Sequence, residues 1–410
     1  MPKRSRCGRP ARQRNRAVGL PVLVVFTFVN AADNPDSSMS GFRGQERGDH
    51  SVGAQPGGIS VGVVGVGYWG SKHMRALRTT AGVAAVVGID QRFSLTNDAR
   101  DRIDCDYVGC ADVAEALPGV DAVVIATPPT SHAPLAMQAI RAGKHVLVEK
   151  PLATTVRDAQ LLIDAAESAG VVLMCGHTFE HNAAVQKLRD LIQGQELGRL
   201  YYLDCARLNL GLYQSDVNVI SDLAPHDISI ANFVLGSQPS TVTAWGSRHV
   251  HPDFEDVSYL RLDYTDIDVR VNIHVSWLHP VKIRQITAVG SAKMTVYDDL
   301  AGDERLRIYD RAAVPPEQPE GPLSQVAYRV GAVVSPFIAF PEPLAVQDQH
   351  FIDCATRGMR PSPDGYSGLK VVQALECAQL SLAEQRPVAL EELLPGAPHG
   401  PQMSFQGMSP

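Results

Sequence analysis

The sequence predicts two unlike architectures in series: a doubly wound parallel α/β sheet, then a mostly antiparallel open sheet of α+β type. Between residues 59 and 176, apolar β-branched runs alternate with segments of helical period, the order that builds βαβ units. Beyond about residue 199, short strand-like runs follow one another across brief turns, the pattern of antiparallel pairing. A length of 410 residues leaves room for two or three cores. The division this implies is an extension outside the core at 1–58, a first α/β domain at 59–176, an antiparallel-sheet domain at 177–340, closing helices at 341–390 and a loose tail at 391–410.

The first strand is the apolar run at 59–64, and it enters the glycine pattern Gly65, Gly67, Gly70. In G-x-G-x-x-G the first glycine permits a sharp turn, the second lets backbone approach a pyrophosphate, and the third allows close helix packing. A helix over Tyr68–Leu77 would aim its free N–H groups at phosphates, with Tyr68 and Trp69 in its first turn beside the same ligand. Glycine turns of this kind are also common as plain connectors. A second apolar run, Val83–Ile89, ends in Asp90 at the distance where a carboxylate takes ribose hydroxyls, and that points to a dinucleotide in a Rossmann arrangement. Asp90 favours NAD over NADP because its carboxylate repels a 2′-phosphate. Arg92 nearby keeps NADP open, although a solvated surface charge is the plainer reading of it.

Residues 121–126 form the next buried strand and lead into Thr127, Pro128 and, at the loop's end, His132. Loops at the carboxyl ends of such strands line the ligand crevice. Thr127, Pro128 and His132 are therefore candidates for the nicotinamide wall, with a rigid connector the alternative, preferred for His132. A helix over 133–142 closes at Gly143, a strand covers 145–148, and a helix over 156–168 is capped by Thr154 or Thr155 and ended by Gly170. The next strand is 171–174. Glu149 and Lys150 end an apolar strand, and Pro151 biases Lys150 toward extended backbone, so its amine should project from the sheet edge. Position alone suggests a solvated lysine.

In the second half, an amphipathic helix over 182–192 precedes strands at about 199–208, 240–245, 257–264, 269–277, 283–289 and 294–297. Within it, Asp222 and His226 are four apart and share a helix face if the helix starts at Ser221 or Asp222, with Pro225 tolerated in the first turn. The purely structural alternative makes Asp222 an N-cap and His226 a surface group. Arg207, Asn209, Tyr213 and Asn218 precede that pair as candidate walls of a polar substrate pocket, and Lys282 and Arg284 as candidates to meet an anionic group.

A net charge of −7 with no basic stripe beyond the extreme N-terminus argues against a nucleic-acid partner. The seven cysteines, Cys7, Cys105, Cys110, Cys175, Cys205, Cys354 and Cys377, show no C-x-x-C spacing, so neither a zinc site nor a disulfide framework is indicated. A basic head (Lys3 to Arg16), an apolar run over 17–29 and Asn30-Ala31-Ala32 have the layout of an export signal. The run is too short for a comfortable membrane span. The stretch 32–58 is polar and glycine-rich, and Met39 could itself start a chain. Cytoplasmic location is the preferred reading, with export the alternative.

Taken together, the glycine pattern, the run ATPPTSH at 126–132 and Glu149-Lys150-Pro151 resemble the Gfo/Idh/MocA oxidoreductases. The resemblance extends from about Ile59 to Gln385, with residues 341–382 resembling helices that return to the first domain. It implies a catalytic lysine at Lys150, an often cis bond at Lys150-Pro151, and an Asp and a His facing the lysine at Asp222 and His226. Glu149 joins the cofactor set. Ala224 stands where the family often has glycine, and the glycines often found before the aspartate are absent, which suggests altered substrate shape.

The implied reaction is NAD-dependent oxidation of a secondary alcohol on a sugar, or its reverse. A nucleotide-linked sugar is the first candidate, with a free sugar or inositol second. His226 would serve as base, Lys150 would bind the oxygen, and Asp222 would orient the histidine or hold a hydroxyl. A rival from another class, an NAD-binding redox sensor without turnover, should lack Lys150 or His226, and both are present. A homodimer or homotetramer is usual in the family.

Overall fold

The computed structural model describes residues 58–91, 112–211, 213–214, 217–314 and 326–393. The N-terminal head, its apolar run, Met39, Arg92, Cys7, Cys105, Cys110 and the tail from Pro395 lie outside the described residues.

The first half runs β1 (Ile59–Val64), α1 (Tyr68–Leu77), β2 (Val83–Ile89), α2 (Val113–Ala116), β3 (Ala122–Ile125), α3 (His132–Arg141), β4 (His145–Glu149), α4 (Val156–Ala169) and β5 (Leu173–Gly176). The strands form one parallel sheet in the order β2-β1-β3-β4-β5. Strand order reverses between β1 and β3, which opens a crevice at their carboxyl ends. Every residue of β3 is buried, as a strand covered on both faces requires.

The helices bury one stripe each. In α4, Ala159, Leu162, Ile163 and Ala166 recur at helical spacing against the sheet, each large aliphatic contributing about 1.5–3 kcal/mol. Thr155 caps α4 by accepting from the Asp158 N–H at 3.1 Å, which decides between the two candidate threonines, and Gly170 ends it at φ +64°.

The second half runs α5 (Ala183–Gln193), β6 (Leu200–Leu210), α6 (Val219–Leu235), β7 (Thr241–Ser247), β8 (Val257–Tyr264), β9 (Val269–Ser276), β10 (Leu278–Gly290), β11 (Met294–Asp298), β12 (Leu306–Val314), β13 (Ala327–Val334), α7 (Pro343–Arg357), α8 (Gly365–Glu384) and β14 (Val388–Ala389). Nine strands pair in the order β13-β12-β11-β10-β6-β9-β8-β7-β14, all antiparallel except β6 with β9. In β8 and β9 the residues Leu260, Leu262, Val271 and Ile273 face the core while Tyr259 and Arg261 face out, the alternation of a sheet covered on one side.

Three expectations change. Strands β12 and β13 were not anticipated, although Tyr328, Val330, Ala332 and Val334 of β13 alternate as one face of a strand does; in the structure that face is exposed. Helix α6 begins at Val219 rather than at Ser221 or Asp222, since Asn218 caps it by accepting from the Ser221 N–H at 3.1 Å. Pro225 therefore lies inside the helix and is buried there, not in its first turn.

Helix α8 ties the halves together. Its Leu369 and Val372 belong to the core of the parallel sheet, and its Val371, Ala374, Leu375 and Ala378 to the core of the antiparallel one. Helix α7 packs on α1. No described helix is long and apolar enough to cross a membrane.

Candidate active site

At the carboxyl end of β1, Gly65 takes φ +84°, and a Cβ there would lie 2.7 Å from Thr127 Cγ2. A Cβ at Gly70 would lie 1.8 Å from the Gly65 carbonyl oxygen, so only glycine allows the turn and helix to close this tightly. Gly67 has nothing within 4 Å of where a Cβ would sit. It precedes α1 without any side-chain cap, so the first-turn N–H groups border open space. This cradle fits a dinucleotide pyrophosphate. Asp90 is buried beside it and accepts from the Val66 N–H at 2.9 Å, bracing the glycine turn.

Tyr68 and Trp69 are 73% and 42% exposed and pack edge to face, with the Lys72 ammonium over both rings. Thr127 Oγ1 accepts from Ser131 Oγ at 2.7 Å, and Pro128 follows it into the turn. His132 is buried, with Nδ1 2.7 Å from the Pro151 carbonyl and Nε2 2.8 Å from that of Thr127. Both ring nitrogens are engaged in the protein, so His132 braces one loop against the other, and its expected place in the nicotinamide wall is withdrawn.

Lys150 and Pro151 are joined by a cis bond. The Lys150 ammonium donates to the Asp222 carbonyl oxygen at 2.8 Å and lies 3.7 Å from Asp222 Oδ1. The other carboxylate oxygen of Asp222 accepts from Trp277 Nε1 at 3.0 Å. One helical turn on, His226 stands edge to face with Phe179 at 5.1 Å, and its Nδ1 is buried with no partner among the described residues. Burial, then the charges of Lys150, Arg207, His177 and Arg284, hold the His226 imidazole well below its ordinary pKa. It is therefore a neutral ring beside an ammonium, able to accept a proton.

Glu149 faces inward, contrary to its expected cofactor role. Its Oε1 lies 3.0 Å from His73 Nε2, and its Oε2 accepts from the Lys150 N–H at 3.1 Å. His73 Nδ1 lies 2.9 Å from Asp348 Oδ1, so α1, the end of β4 and α7 meet in a buried carboxylate–imidazole–carboxylate chain. Burial works against its charge, but Asp348 and then Glu149 raise the His73 pKa to about 10. Burial also opposes ionisation of Glu149, yet the His73 hydrogen bond and charge, then Lys150, outweigh it and hold Glu149 low. At Asp348 burial outweighs the pull of His73 and raises the carboxyl, so of the two carboxylates flanking the imidazolium Glu149 is the one held low. Sequence reasoning missed His73 and Asp348, although a carboxylate at the end of an apolar strand signals that some partner must be buried with it.

Two candidate pocket walls are also withdrawn. The Arg207 guanidinium donates to both Asp227 oxygens at 2.8 and 3.0 Å and stacks over Phe179, locking β6 to α6. Asn218, besides capping α6, donates to Glu255 at 3.0 Å and to Gln379 at 2.9 Å. Asn209 keeps a buried Oδ1 with no partner among the described residues, and the Tyr213 ring packs 5.1 Å from Trp277. Arg284 pairs with Asp299 at 3.3 Å. A cavity of about 450 Å³ lies at the opposite, amino end of the parallel sheet, lined by His145, Leu173 and Tyr366. Its polar groups pair with one another, Arg360 with Asp364 and the Tyr366 hydroxyl with Glu167, and it takes no part in this site.

A glycine cradle at the switch point of a parallel sheet, with an amine and an imidazole from two differently built halves beside it, defines the class: an oxidoreductase that uses NAD. Residues 59–177 match the model of an oxidoreductase family with an NAD-binding Rossmann fold, and residues 185–296 match the Gfo/Idh/MocA C-terminal domain. The chain belongs to the Gfo/Idh/MocA family.

Inositol 2-dehydrogenase 2 of Saccharopolyspora erythraea is 30% identical over 266 residues, 60% of this chain and 77% of that one. The solved UDP-N-acetylglucosamine 3-dehydrogenase of Acidithiobacillus ferrooxidans is 26% identical at a TM-score of 0.65, covering 80% of this chain and 99% of that one. An oxidoreductase of Agrobacterium radiobacter, solved with NAD+, L-tartaric acid and magnesium, shares the fold at a TM-score of 0.67 and 22% identity over 82% of this chain and 99% of that one.

Proposed function

We propose that this chain interconverts a secondary alcohol and a ketone on a sugar, a nucleotide-linked sugar in the first reading, as an NAD-dependent dehydrogenase. The observation that carries the reading is the reach of Lys150 from the end of β4 to α6, 2.8 Å from the Asp222 carbonyl and one turn before His226. Bound NAD supplies the hydride acceptor or donor. As hydride leaves the carbinol carbon its hydroxyl proton must also leave, and His226, kept neutral by burial and by Lys150, takes it. The Lys150 ammonium binds the same oxygen and stabilises the negative charge that grows there. Asp222, held by Trp277, keeps Lys150 in place or takes a neighbouring hydroxyl. Gly65, Gly67 and Gly70 seat the pyrophosphate, Asp90 takes the ribose and disfavours a 2′-phosphate, and Thr127 and Pro128 flank the nicotinamide, with Tyr68 and Trp69 at the cradle's outer rim. Asn209 and Tyr213 form the substrate wall.

Likeness to the inositol dehydrogenase supports free inositol as the second reading. Absorbance at the NADH wavelength, with UDP-N-acetylglucosamine and inositol supplied separately among a panel of sugars, tests both. NADH from the nucleotide sugar supports the first reading and NADH from inositol the second, whereas turnover with no member of the panel removes the assignment.

A homodimer or homotetramer is proposed through the open sheet face, where Trp245, Tyr259 and His274 stack across neighbouring strands at 5.5 and 4.1 Å. Sedimentation velocity tests it. A cytoplasmic setting is proposed too, in keeping with the unpaired thiols of Cys175, Cys205, Cys354 and Cys377.

A further inference from the structure

Strands β4 and β5 run parallel with Glu149 beside Gly176, so Lys150 and His177 are the residues that leave two neighbouring strands at the carboxyl edge of the sheet. A tight turn follows, closed by the His177 N–H on the Cys175 carbonyl at 2.8 Å. His177 is 1% exposed and lies within the fields of Glu149 and Lys150, and its own charge would act on His226. Its Nε2 is 3.4 Å from Cys175 Sγ, while its Nδ1 is buried with no partner among the described residues.

The proton positions follow from the neighbours. Burial, then the charges of Glu149 and Glu180, push Cys175 well up, so it keeps its hydrogen as a thiol. What the sulfur offers is its S–H, and His177 Nε2 is the lone pair that receives it. A neutral imidazole accepting at Nε2 carries its hydrogen on Nδ1. The ring therefore presents a buried N–H donor with nothing to bind, an expensive arrangement for a group that serves no ligand.

We propose that His177 is a substrate-recognition residue, whose Nδ1–H donates to the substrate oxygen adjacent to the one held by Lys150 and His226. The site then selects polyols that carry oxygen on the carbon next to the reacting carbinol, and Cys175 is a positioning residue that sets the tautomer. The inference rests on the dehydrogenase reading and adds a recognition contact to it.

Two measurements test it on the full chain. In steady-state assays with inositol and UDP-N-acetylglucosamine, His177→Leu is expected to raise the KM of the turned-over compound about tenfold. His177→Asn, whose amide can replace the Nδ1–H, should recover most of that, and the KM for NAD should stay within about twofold. An unchanged substrate KM in His177→Leu, or a loss expressed in the KM for NAD, overturns the proposal. The second readout needs no turnover. In ¹⁵N-histidine spectra, the His177 signal, identified by its absence from whichever variant folds, should show a protonated Nδ1 and a bare Nε2, and Cys175→Ala should disturb that balance. A protonated Nε2 in the wild-type chain overturns the inference. A wild-type chain that reduces NAD with neither compound counts against the dehydrogenase reading, and the spectra still decide the tautomer.

Discussion

Replacing His73 by glutamine removes the imidazolium that stands between Glu149 and Asp348, 3.0 and 2.9 Å away and inside the protein. Glutamine can keep one hydrogen bond but not the charge, so Glu149 loses the stronger of its two positive neighbours at a cost of about 3–5 kcal/mol at pH 7. The pH dependence is the sharper signature. The His73 pKa rises from 6.5 in the unfolded chain to about 10 in the folded one, so its contribution is complete below pH 6.5 and disappears as the pH climbs through 10. While it disappears, the wild type loses about 1.4 kcal/mol per pH unit relative to the variant.

Glu180, whose carboxyl is pushed up to about 8 by burial, contributes with the same sign between pH 4.5 and 8 in both proteins. The window from pH 8 to 10 therefore isolates His73 most cleanly. Urea unfolding at fixed pH values, extrapolated linearly to water, gives the two curves. Wild type and His73→Gln should converge by about 2 kcal/mol across that window. Parallel curves would refute the charged chain.

Other predictions concern the cleft itself. Lys150→Met and His226→Ala should each abolish NADH formation while titration still shows NAD binding, and near-normal turnover in both would remove the mechanism. Because His226 is held well below its ordinary pKa, kcat/KM for alcohol oxidation should stay level down to pH 6.5 and fall only below it, where the base becomes protonated; a limb at or above pH 6.5 contradicts the assignment. Gly67→Ala puts a methyl into open space and should change stability by no more than about 1 kcal/mol while weakening NAD at least about tenfold by calorimetry. Gly70→Ala, whose methyl would meet the Gly65 carbonyl, should instead lower the melting temperature sharply. Arg207→Met should cost about 3–5 kcal/mol in urea unfolding by stranding Asp227, and Arg207→Met with Asp227→Leu should regain most of it.

The chemistry of local sequence made much of this legible. A glycine pattern after an apolar strand fixes a turn because backbone sterics act over a few residues, and Gly65 at φ +84° stands where that argument puts it. The cis Lys150–Pro151 bond was legible too, through family resemblance. Alternating and helical periodicities separated the parallel from the antiparallel half, since each reflects burial on one or two faces. The limit came where burial and periodicity part company. Strand β13 carries apolar residues at alternate positions, Tyr328, Val330, Ala332 and Val334, yet is exposed throughout, and α6 begins earlier than its apolar stretch because a side chain at Asn218 supplies the cap.

By itself the sequence determined the two-part architecture, the dinucleotide cradle and the short set of side chains with the right chemistry, because all of these depend on residues near one another in the chain. Which polar groups face the cleft was decided only by the tertiary structure. Arg207 and Asn218 looked like pocket walls until Asp227, Glu255 and Gln379 were seen to claim them, and Glu149 looked like a cofactor contact until His73 turned it inward. A buried charge takes whichever partner the fold brings within about 3 Å, and partners such as Asp348, 275 positions from His73, leave no trace in local sequence.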